Sequence, residues 1–336
     1  MCFYDHCRRR LALVLLAFPG LPAAAAAGEI PTPLAGVERV VFLGDSITYR
    51  GIYVDFVEIV LRLRAPEWSG EILALGLPSE TVSGLSEPGH ASGRFPRPVL
   101  RERLDRLLAR TKPGLIVACY GMNDGIYHPF DEDRFAAYRQ GILHLRERAA
   151  AMGAEVIHLT PPVFDPIPIP QKLLPPGLSA YPKFYSGYDE VLARYAAWLL
   201  DRRKDGWTVI DVHGLMTRTL ARLRCTAPGF IFARDGVHPN AAGHAVIARA
   251  ILDAWRLRPD DGELLGTLAA EPAAVLPEMI GRRRQLLANA WLTAIGHQRP
   301  GMGPGLPLAE ATAEAAVLEA EIHHRLDAFR RAGRQK

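Results

Sequence analysis

The stretch Val40-Val41-Phe42-Leu43-Gly44-Asp45-Ser46-Ile47-Thr48 decides the fold of this chain. Its apolar run ends abruptly at Gly44-Asp45-Ser46, and a helical spacing of apolar residues begins after Gly51. A buried parallel strand that ends in a tight turn before a helix presents its last polar side chain at the carboxyl edge of the sheet, where α/β proteins bind ligands. Ser46 is that side chain. Taken alone, the same residues could simply cap a helix.

Apolar, β-branched runs alternate with helical patterns through the centre of the chain, which is typical of βαβ units and a parallel sheet. The predicted strands lie near residues 38–43, 71–75, 114–119, 154–160 and 207–212. The predicted helices lie near residues 51–65, 98–110, 131–152, 187–204 and 239–256. We therefore predict an α/β fold with a five-stranded parallel sheet covered by helices on both faces.

The two ends of the chain differ from this central part. Arg8-Arg9-Arg10, an apolar run and the Ala-rich residues 23–27 predict a signal peptide over residues 1–27. An uncleaved anchor is the alternative, because the apolar stretch approaches the roughly 18 residues of a membrane span. We expect export to the periplasm or medium, without stable membrane insertion after cleavage. Residues 28–258 would form the main domain, and Arg-, Ala- and Glu-rich patterns predict a helical C-terminal extension over residues 259–336, with its last helix over 307–331.

Charge and cysteine content narrow the class of protein. Removal of residues 1–27 takes away three Arg and one Asp, so the formal charge falls from +4 to +2. This balance argues against a nucleic-acid partner, which would require a clustered basic face. Cys119 lies in a predicted strand and Cys225 in a predicted loop, so a disulfide framework is not expected, although one bridge between them stays open. The oligomeric state is not predicted.

Polar residues also follow later strands. The third strand runs into Gly121-Met122-Asn123-Asp124, which on its own would be an ordinary turn. Farther on, Asp235-Gly236-Val237-His238 precedes a helix that starts near Pro239. An Asp three residues before a His is close enough to hold the imidazole. Strand ends of a parallel sheet share one edge, so these groups and Ser46 are expected to meet.

Together these residues match the needs of acyl transfer, which are a nucleophile, a base oriented by an acid, and donors for the oxyanion. A serine hydroxyl is a poor nucleophile unless a base takes its proton during attack. His238 can be that base, and Asp235 can hold its tautomer. Asn123 can donate to the oxyanion.

These residues carry a resemblance to a known family. Gly44-Asp45-Ser46, the loop at Gly76, Gly121-Met122-Asn123-Asp124 and Asp235-Gly236-Val237-His238 resemble, in order, the four motif blocks of the SGNH (GDSL-type) hydrolase superfamily, over residues 38–256. The resemblance implies a flavodoxin-like three-layer α/β/α fold and a bacterial secreted esterase that needs no cofactor or metal. It implies Ser46 as nucleophile, His238 as base and Asp235 as its partner. It also implies the Ser46 amide and the Asn123 side chain as oxyanion donors.

The second block departs from the family pattern. Where these hydrolases carry Asn-x-Gly-x-x-Gly, this chain has Ala74-Leu75-Gly76-Leu77-Pro78-Ser79. Ser79 therefore occupies the position of the oxyanion glycine. The family uses the backbone amide of that glycine, which serine also has, so we expect Ser79 to complete the oxyanion hole if its backbone adopts a glycine-like conformation.

The substrate is predicted only by class. We expect a small-molecule or carbohydrate ester, with O-acetyl sugars as the leading candidate. A lipid ester hydrolase, an acyltransferase and a non-catalytic carbohydrate-binding protein are the alternatives. A metal-dependent hydrolase is not favoured because no compact ligand motif accompanies the acidic residues. The candidate substrate-binding residues are Asp45, Glu80, Asp124, His297 and Arg299.

Overall fold

The computed structural model describes residues 30–257 and 275–333. The predicted signal peptide and the predicted boundary at residue 258 lie outside these residues. The strands are β1 (Arg39–Gly44), β2 (Glu71–Ala74), β3 (Leu115–Cys119), β4 (Glu155–Leu159), β5 (Leu173–Leu174), β6 (Phe184–Tyr185) and β7 (Thr208–Ile210). The helices are α1 (Ser46–Arg50), α2 (Ile52–Arg64), α3 (Leu100–Thr111), α4 (Glu132–Ala151), α5 (Tyr188–Asp201), α6 (Val212–Thr226), α7 (Ala241–Ala254), α8 (Leu276–Ile295) and α9 (Leu308–Gly333).

The main sheet has five parallel strands in the order β2-β1-β3-β4-β7. In chain order of these five strands, this is the 2-1-3-4-5 arrangement of flavodoxin-like folds. The order reverses between β1 and β3, so the ends of these two strands flank the crevice where such folds bind ligands. The predicted fold class is confirmed. A second, two-stranded parallel pair joins β5 to β6.

The core explains why these segments form strands. Every residue of β3 is buried, and so are the residues of β1 after Arg39. Strands buried on both faces read as continuous apolar runs, which is the pattern that the sequence shows. The polar residues that follow these strands are the first ones free to face the crevice.

The C-terminal extension packs on α2. A separate apolar cluster joins the three helices of this contact, and its buried members are Ile59, Leu276, Ile280, Ile322 and Leu326. Beside it, Arg283 of α8 binds the carboxylates of Glu58 and Glu319. The predicted last helix is confirmed as α9, since its apolar stripe faces this contact.

Two details differ from the sequence predictions. Helix α6 was not predicted, and it places Cys225 in a helix instead of a loop. The signal was available, because Asp211 caps the helix by accepting from the Gly214 amide and apolar residues follow at helical spacing. Cys119 is buried, Cys225 is exposed and both are free, so the bridge left open by the sequence does not form.

Among residues 30–257 and 275–333, no helix combines the length and apolarity required to span a membrane.

Candidate active site

The nucleophile turn, named for the predicted role of Ser46, lies at the end of β1. Helix α1 begins at Ser46, and the Asp45 carboxylate caps it by accepting from the Ile47 amide at 2.9 Å. Ser46 is half-buried, and as the first residue of a helix its amide has no partner within the helix.

Glycines bring neighbouring backbone against this turn. A Cβ on Gly76 would lie 2.4 Å from the Tyr49 nitrogen, and one on Gly44 would lie 2.2 Å from Thr48 Oγ1. The Leu77 amide donates to the Gly44 carbonyl at 2.9 Å. The loop after β2 is therefore held directly against the nucleophile turn.

Asp235 and His238 approach Ser46 from the turn before α7. Ser46 Oγ lies 2.8 Å from His238 Nε2, and His238 Nδ1 lies 2.6 Å from Asp235 Oδ2. The other oxygen of Asp235 accepts from the amides of Val237 and His238, which fixes the carboxylate within its own turn. The turn is also tied to the 161–186 insert, because the Asp165 amide donates to the Gly236 carbonyl at 2.9 Å. The sequence prediction that these groups meet at one sheet edge agrees with this geometry.

The electrostatics of this chain of contacts favour a charged pair. The hydrogen bond to Asp235 raises the pKa of His238 above its ordinary value, and this effect outweighs the partial burial of the ring. Partial burial acts to raise the pKa of Asp235, but the hydrogen bonds from His238 outweigh it and leave that pKa well below the usual range. Asp235 therefore stays ionised beside the imidazole, as an orienting acid requires.

Asn123 lies at the end of β3 and is only 4% exposed. Its Oδ1 accepts from Arg97 Nη1 at 2.9 Å and from the Tyr127 hydroxyl at 3.0 Å. Because two donors occupy Oδ1, the orientation of the amide is set, and Nδ2 faces Asp45 Oδ2 at 3.1 Å and the Glu80 carbonyl at 3.3 Å. The contact with the Glu80 carbonyl is longer than an ordinary N–H···O hydrogen bond.

Ser79 adopts the glycine-like conformation that the sequence comparison required. Its φ is 68°, in the left-handed region. Within the described part of the chain, no acceptor binds the Ser79 amide. The residue is half-buried. A free amide in this loop is the arrangement that an oxyanion hole needs.

Two predicted substrate-binding side chains are in the interior instead of the cleft. Glu80 is fully buried, where it pairs with Arg103 at 2.6 Å and accepts from the Tyr120 hydroxyl at 2.7 Å. Asp124 is also fully buried, and one of its oxygens accepts from the amides of Val82 and Ser83. Both hold the loop that carries Ser79, so direct contact with a substrate is a wrong prediction for them. The sequence could not show that Arg103, on α3, is the partner of Glu80.

Asp45 is 2% exposed, and its contacts are the cap of α1 and the Asn123 amide. Burial raises its pKa to about 7, although the Ile47 amide and His238 act to lower it. The structure therefore places Asp45 beneath the site instead of on its surface.

His297 and Arg299 of the extension do reach the site loop. Arg299 Nε donates to the Pro78 carbonyl at 2.8 Å, and the Arg299 amide donates to His297 Nδ1 at 3.2 Å. Both residues are half-buried. Their hydrogen bonds are with the protein backbone and with each other, next to Ser79.

The comparison with protein families adds to this geometry. The model of the GDSL-like lipase/acylhydrolase family matches residues 42–246, which include Ser46, Ser79, Asn123, Asp235 and His238. The chain belongs to this family. Membership of the GDSL-like lipase/acylhydrolase family supports an ester hydrolase. The extension lies outside the matched residues.

Solved structures give more distant matches. The acetylxylan esterase Axe2 from Geobacillus stearothermophilus is 20% identical, with 67% of this chain and 95% of that chain covered and a TM-score of 0.48. BT4096, a gut microbial diltiazem-metabolizing enzyme, is 19% identical, with 65% of this chain and 46% of that chain covered and a TM-score of 0.49. No curated protein sequence matches this chain. Similarity at this level carries no argument about the substrate of a GDSL-like family member.

Two residues that contribute to the site were not predicted from the sequence. Tyr127 was not predicted, although it lies four residues after Asn123 in the same turn, and its φ of 57° marks an unusual backbone. Arg284, on α8, donates to the carbonyls of Tyr49 and Arg50 at the end of the nucleophile helix and pairs with Asp55 at 2.6 Å. No local signal in the sequence links α8 to this turn.

Proposed function

We propose that this protein is a serine esterase that cleaves carboxylic esters through an acyl-enzyme. The observation that carries the proposal is the continuous contact from Ser46 Oγ through His238 to Asp235, at 2.8 Å and 2.6 Å. This arrangement supplies a nucleophile, a base and an orienting acid in the order that acyl transfer requires.

The reaction follows from these contacts. Ser46 Oγ attacks the ester carbonyl carbon while His238 Nε2 takes the hydroxyl proton, and Asp235 stabilises the imidazolium. The tetrahedral intermediate collapses when its C–O bond breaks and the leaving alcohol takes that proton from His238. Water then attacks the acyl-enzyme with His238 again as base, which releases the acid and restores Ser46.

The oxyanion is bound by three donors in this proposal. They are the amides of Ser46 and Ser79 and the side-chain amide of Asn123. The Asn123 amide can exchange its long contact with the Glu80 carbonyl for the oxyanion, because that contact is weak at 3.3 Å. Such preorganised donors supply a large part of the rate enhancement in acyl transfer.

We infer a carbohydrate O-acetyl ester as the leading substrate class. The 161–186 insert brings Tyr181 into contact with His128 and Tyr185, with ring centroids 5.7 Å apart in both pairs. The Tyr185 amide donates to the carbonyl of Tyr127, whose hydroxyl holds Asn123. Aromatic faces with polar tips beside the site suit a sugar, which presents both C–H faces and hydroxyls.

A lipid ester is the second candidate, and the same insert supports it. Ile167 is 55% exposed and Leu178 is 44% exposed, and exposed large apolar side chains suit contact with an acyl chain. A panel of acetylated sugars against esters of longer acyl chains separates the two candidates. Added alcohols test the acyltransferase alternative, because transfer would give a new ester instead of the free acid.

The mechanism is tested with p-nitrophenyl acetate. We expect Ser46→Ala to lower kcat by about 10⁶-fold, as removal of a triad serine does. A fluorophosphonate probe should label the native protein and not this variant. Ser179→Ala, at an exposed position in the insert, is the matched control and should keep full activity. Activity of Ser46→Ala within tenfold of the native protein would contradict the mechanism.

Export is proposed from the signal predicted over residues 1–27. Cell fractionation with N-terminal sequencing of the mature protein tests it. A mature N-terminus near Gly28 supports cleavage, whereas an intact N-terminus in the membrane fraction supports the anchor.

A further inference from the structure

The C-terminal extension contacts the loop that carries Ser79. Arg299 lies in the connection between α8 and α9, and its Nε donates to the Pro78 carbonyl at 2.8 Å. Its guanidinium also lies over the ring of Phe95, 5.4 Å from the centroid. Both contacts are to the β2–α3 loop, so Arg299 joins the extension to the oxyanion side of the site.

The connection that carries Arg299 is itself held in place. Arg106 of α3 donates to the carbonyls of Ile295 and Gly296, both at 2.9 Å, where α8 ends. At the other end of the connection, the Gly305 amide donates to Thr293 Oγ1 at 2.7 Å. These contacts fix the backbone on either side of Arg299, so the side chain reaches Pro78 from a defined position.

The contact with Pro78 determines the direction of the Ser79 amide. The Pro78 carbonyl and the Ser79 N–H belong to one planar trans peptide unit and point in opposite directions. A hydrogen bond that holds the carbonyl oxygen therefore also orients the N–H. Ser79 needs such a hold, because its φ of 68° is unfavourable for a residue with a side chain.

The charge of Arg299 adds to this effect. Within residues 30–257 and 275–333, no carboxylate pairs with Arg299, whereas Arg97, which holds Asn123, pairs with Glu87 at 2.6 Å. A hydrogen bond from a cation to the carbonyl end of an amide polarises it and strengthens the donor at its other end. The Ser79 N–H is thus both oriented and strengthened.

We propose that Arg299 is a positioning residue for the oxyanion hole, which acts by holding the Pro78–Ser79 peptide with the Ser79 N–H directed at the oxyanion. The proposal rests on the proposed function, since it assumes that an oxyanion forms on a substrate bound to Ser46. It makes the extension a part of the working site, although that segment lies outside the residues that the family model matches.

Three substitutions at residue 299 separate orientation from charge. With p-nitrophenyl acetate, Arg299→Met should lower kcat by about tenfold and leave KM within about twofold, because the Ser79 donor is misdirected but not removed. Arg299→Lys should keep most of the activity, since it restores a charged donor. Arg299→Gln supplies a neutral donor, so its kcat should lie between those of Arg299→Met and Arg299→Lys. Arg94→Met is the matched control in the same loop, because Arg94 is exposed and bonds only to the Ala91 carbonyl.

Two readouts distinguish positioning from general damage. A boronic acid that forms a tetrahedral adduct on Ser46 should bind Arg299→Met about tenfold more weakly, whereas a non-covalent competitive inhibitor should bind equally well. In the Ser79→Gly protein, Arg299→Met should lower kcat by a smaller factor than in the native protein. The reason is that glycine adopts this φ without strain, so the peptide depends less on Arg299.

The outcomes are separable. A kcat of Arg299→Met within twofold of the native value would overturn the proposal. An equal fold-loss of kcat from Arg299→Met in the native and Ser79→Gly proteins would also overturn it. If Arg299→Met does not fold, loss of activity in Arg299→Lys equal to that in Arg299→Gln would overturn it as well. Retained activity in Ser46→Ala would instead reject the proposed function, and this inference with it.

Discussion

In the proposed mechanism, the base side, with Asp235 and His238, and the oxyanion side, with Asn123 and Ser79, are held in place by different kinds of contact. Asp235 and His238 are half-exposed and hold each other within one turn of chain. Asn123 is buried, and its orientation depends on Arg97, while the Ser79 peptide is held by Arg299. The base side is thus a local feature of the sequence, whereas the oxyanion side depends on contacts between distant segments. Substitutions on the two sides should therefore have different effects on kcat and on its pH dependence.

The largest effect in this comparison is expected from Asp235→Asn. It should lower kcat by about 10⁴-fold, because the asparagine no longer holds the imidazole in the correct tautomer. The activity of the native protein should rise with pH through the raised pKa of His238, since only the neutral ring accepts the serine proton. Loss of the carboxylate lowers that pKa, so the inflection should move to lower pH.

A pH–rate profile of kcat/KM measures both changes. Asp133→Asn, at an exposed position on α4, is the control and should leave the profile unaltered. An unchanged inflection in Asp235→Asn would mean that Asp235 does not set the protonation of the base.

Substitution of Asn123, on the oxyanion side, should lower kcat by less than Asp235→Asn does and should leave KM nearly unchanged. Asn123→Ala removes one donor, which typically costs about 100- to 1,000-fold in turnover. KM should change little, because the donor acts on the charge that develops in the transition state. Steady-state kinetics on p-nitrophenyl acetate test this, with thermal melting to check folding. A rise in KM at constant kcat would assign Asn123 to substrate binding instead.

Removal of a contact behind Asn123 should have a milder effect. Tyr127→Phe deletes the hydroxyl that donates to Asn123 Oδ1 at 3.0 Å. A typical hydrogen bond contributes about 1 kcal/mol, so kcat should fall by about fivefold. Tyr138→Phe is the matched control, since its buried hydroxyl has no hydrogen-bond partner among the described residues. Equal kcat values for the two variants would show that Tyr127 does not orient the amide.

The smallest effect on rate is expected from Ser79→Gly. Glycine relieves the left-handed backbone but loses more entropy on folding, so the free energy of unfolding should rise by about 0.5 to 1 kcal/mol. The amide is retained, and kcat should stay within about threefold of the native value while Arg299 holds the peptide. Urea denaturation measures the first change and kinetics the second. A loss as large as that of Asn123→Ala would show that the serine side chain itself is required.

The same contrast explains how far the sequence predicts this protein. Ser46 and the Asp235-Gly236-Val237-His238 turn follow from strand ends and local spacing, and so do the five parallel strands. The partners of Glu80 and Pro78 do not, because Arg103 and Arg299 come from other segments and nothing in their local sequence marks the pairing. Glu80 was therefore predicted as a substrate ligand, although its charge is neutralised in the interior. Helix α6 was missed for a different reason, since its cap at Asp211 was read only as the end of a strand.

The backbone packing at Gly44 and Gly76 has a practical consequence for redesign. A single added carbon at either position would collide with atoms of the nucleophile turn, at 2.2 Å from Thr48 Oγ1 or 2.4 Å from the Tyr49 nitrogen. Libraries that aim to change acyl or alcohol preference should therefore keep Gly44 and Gly76 and randomise the 161–186 insert. That segment contacts the turn of Asp235 and His238 through the Asp165 amide and the Gly236 carbonyl, so new side chains there are expected to alter selectivity without replacing the reacting groups.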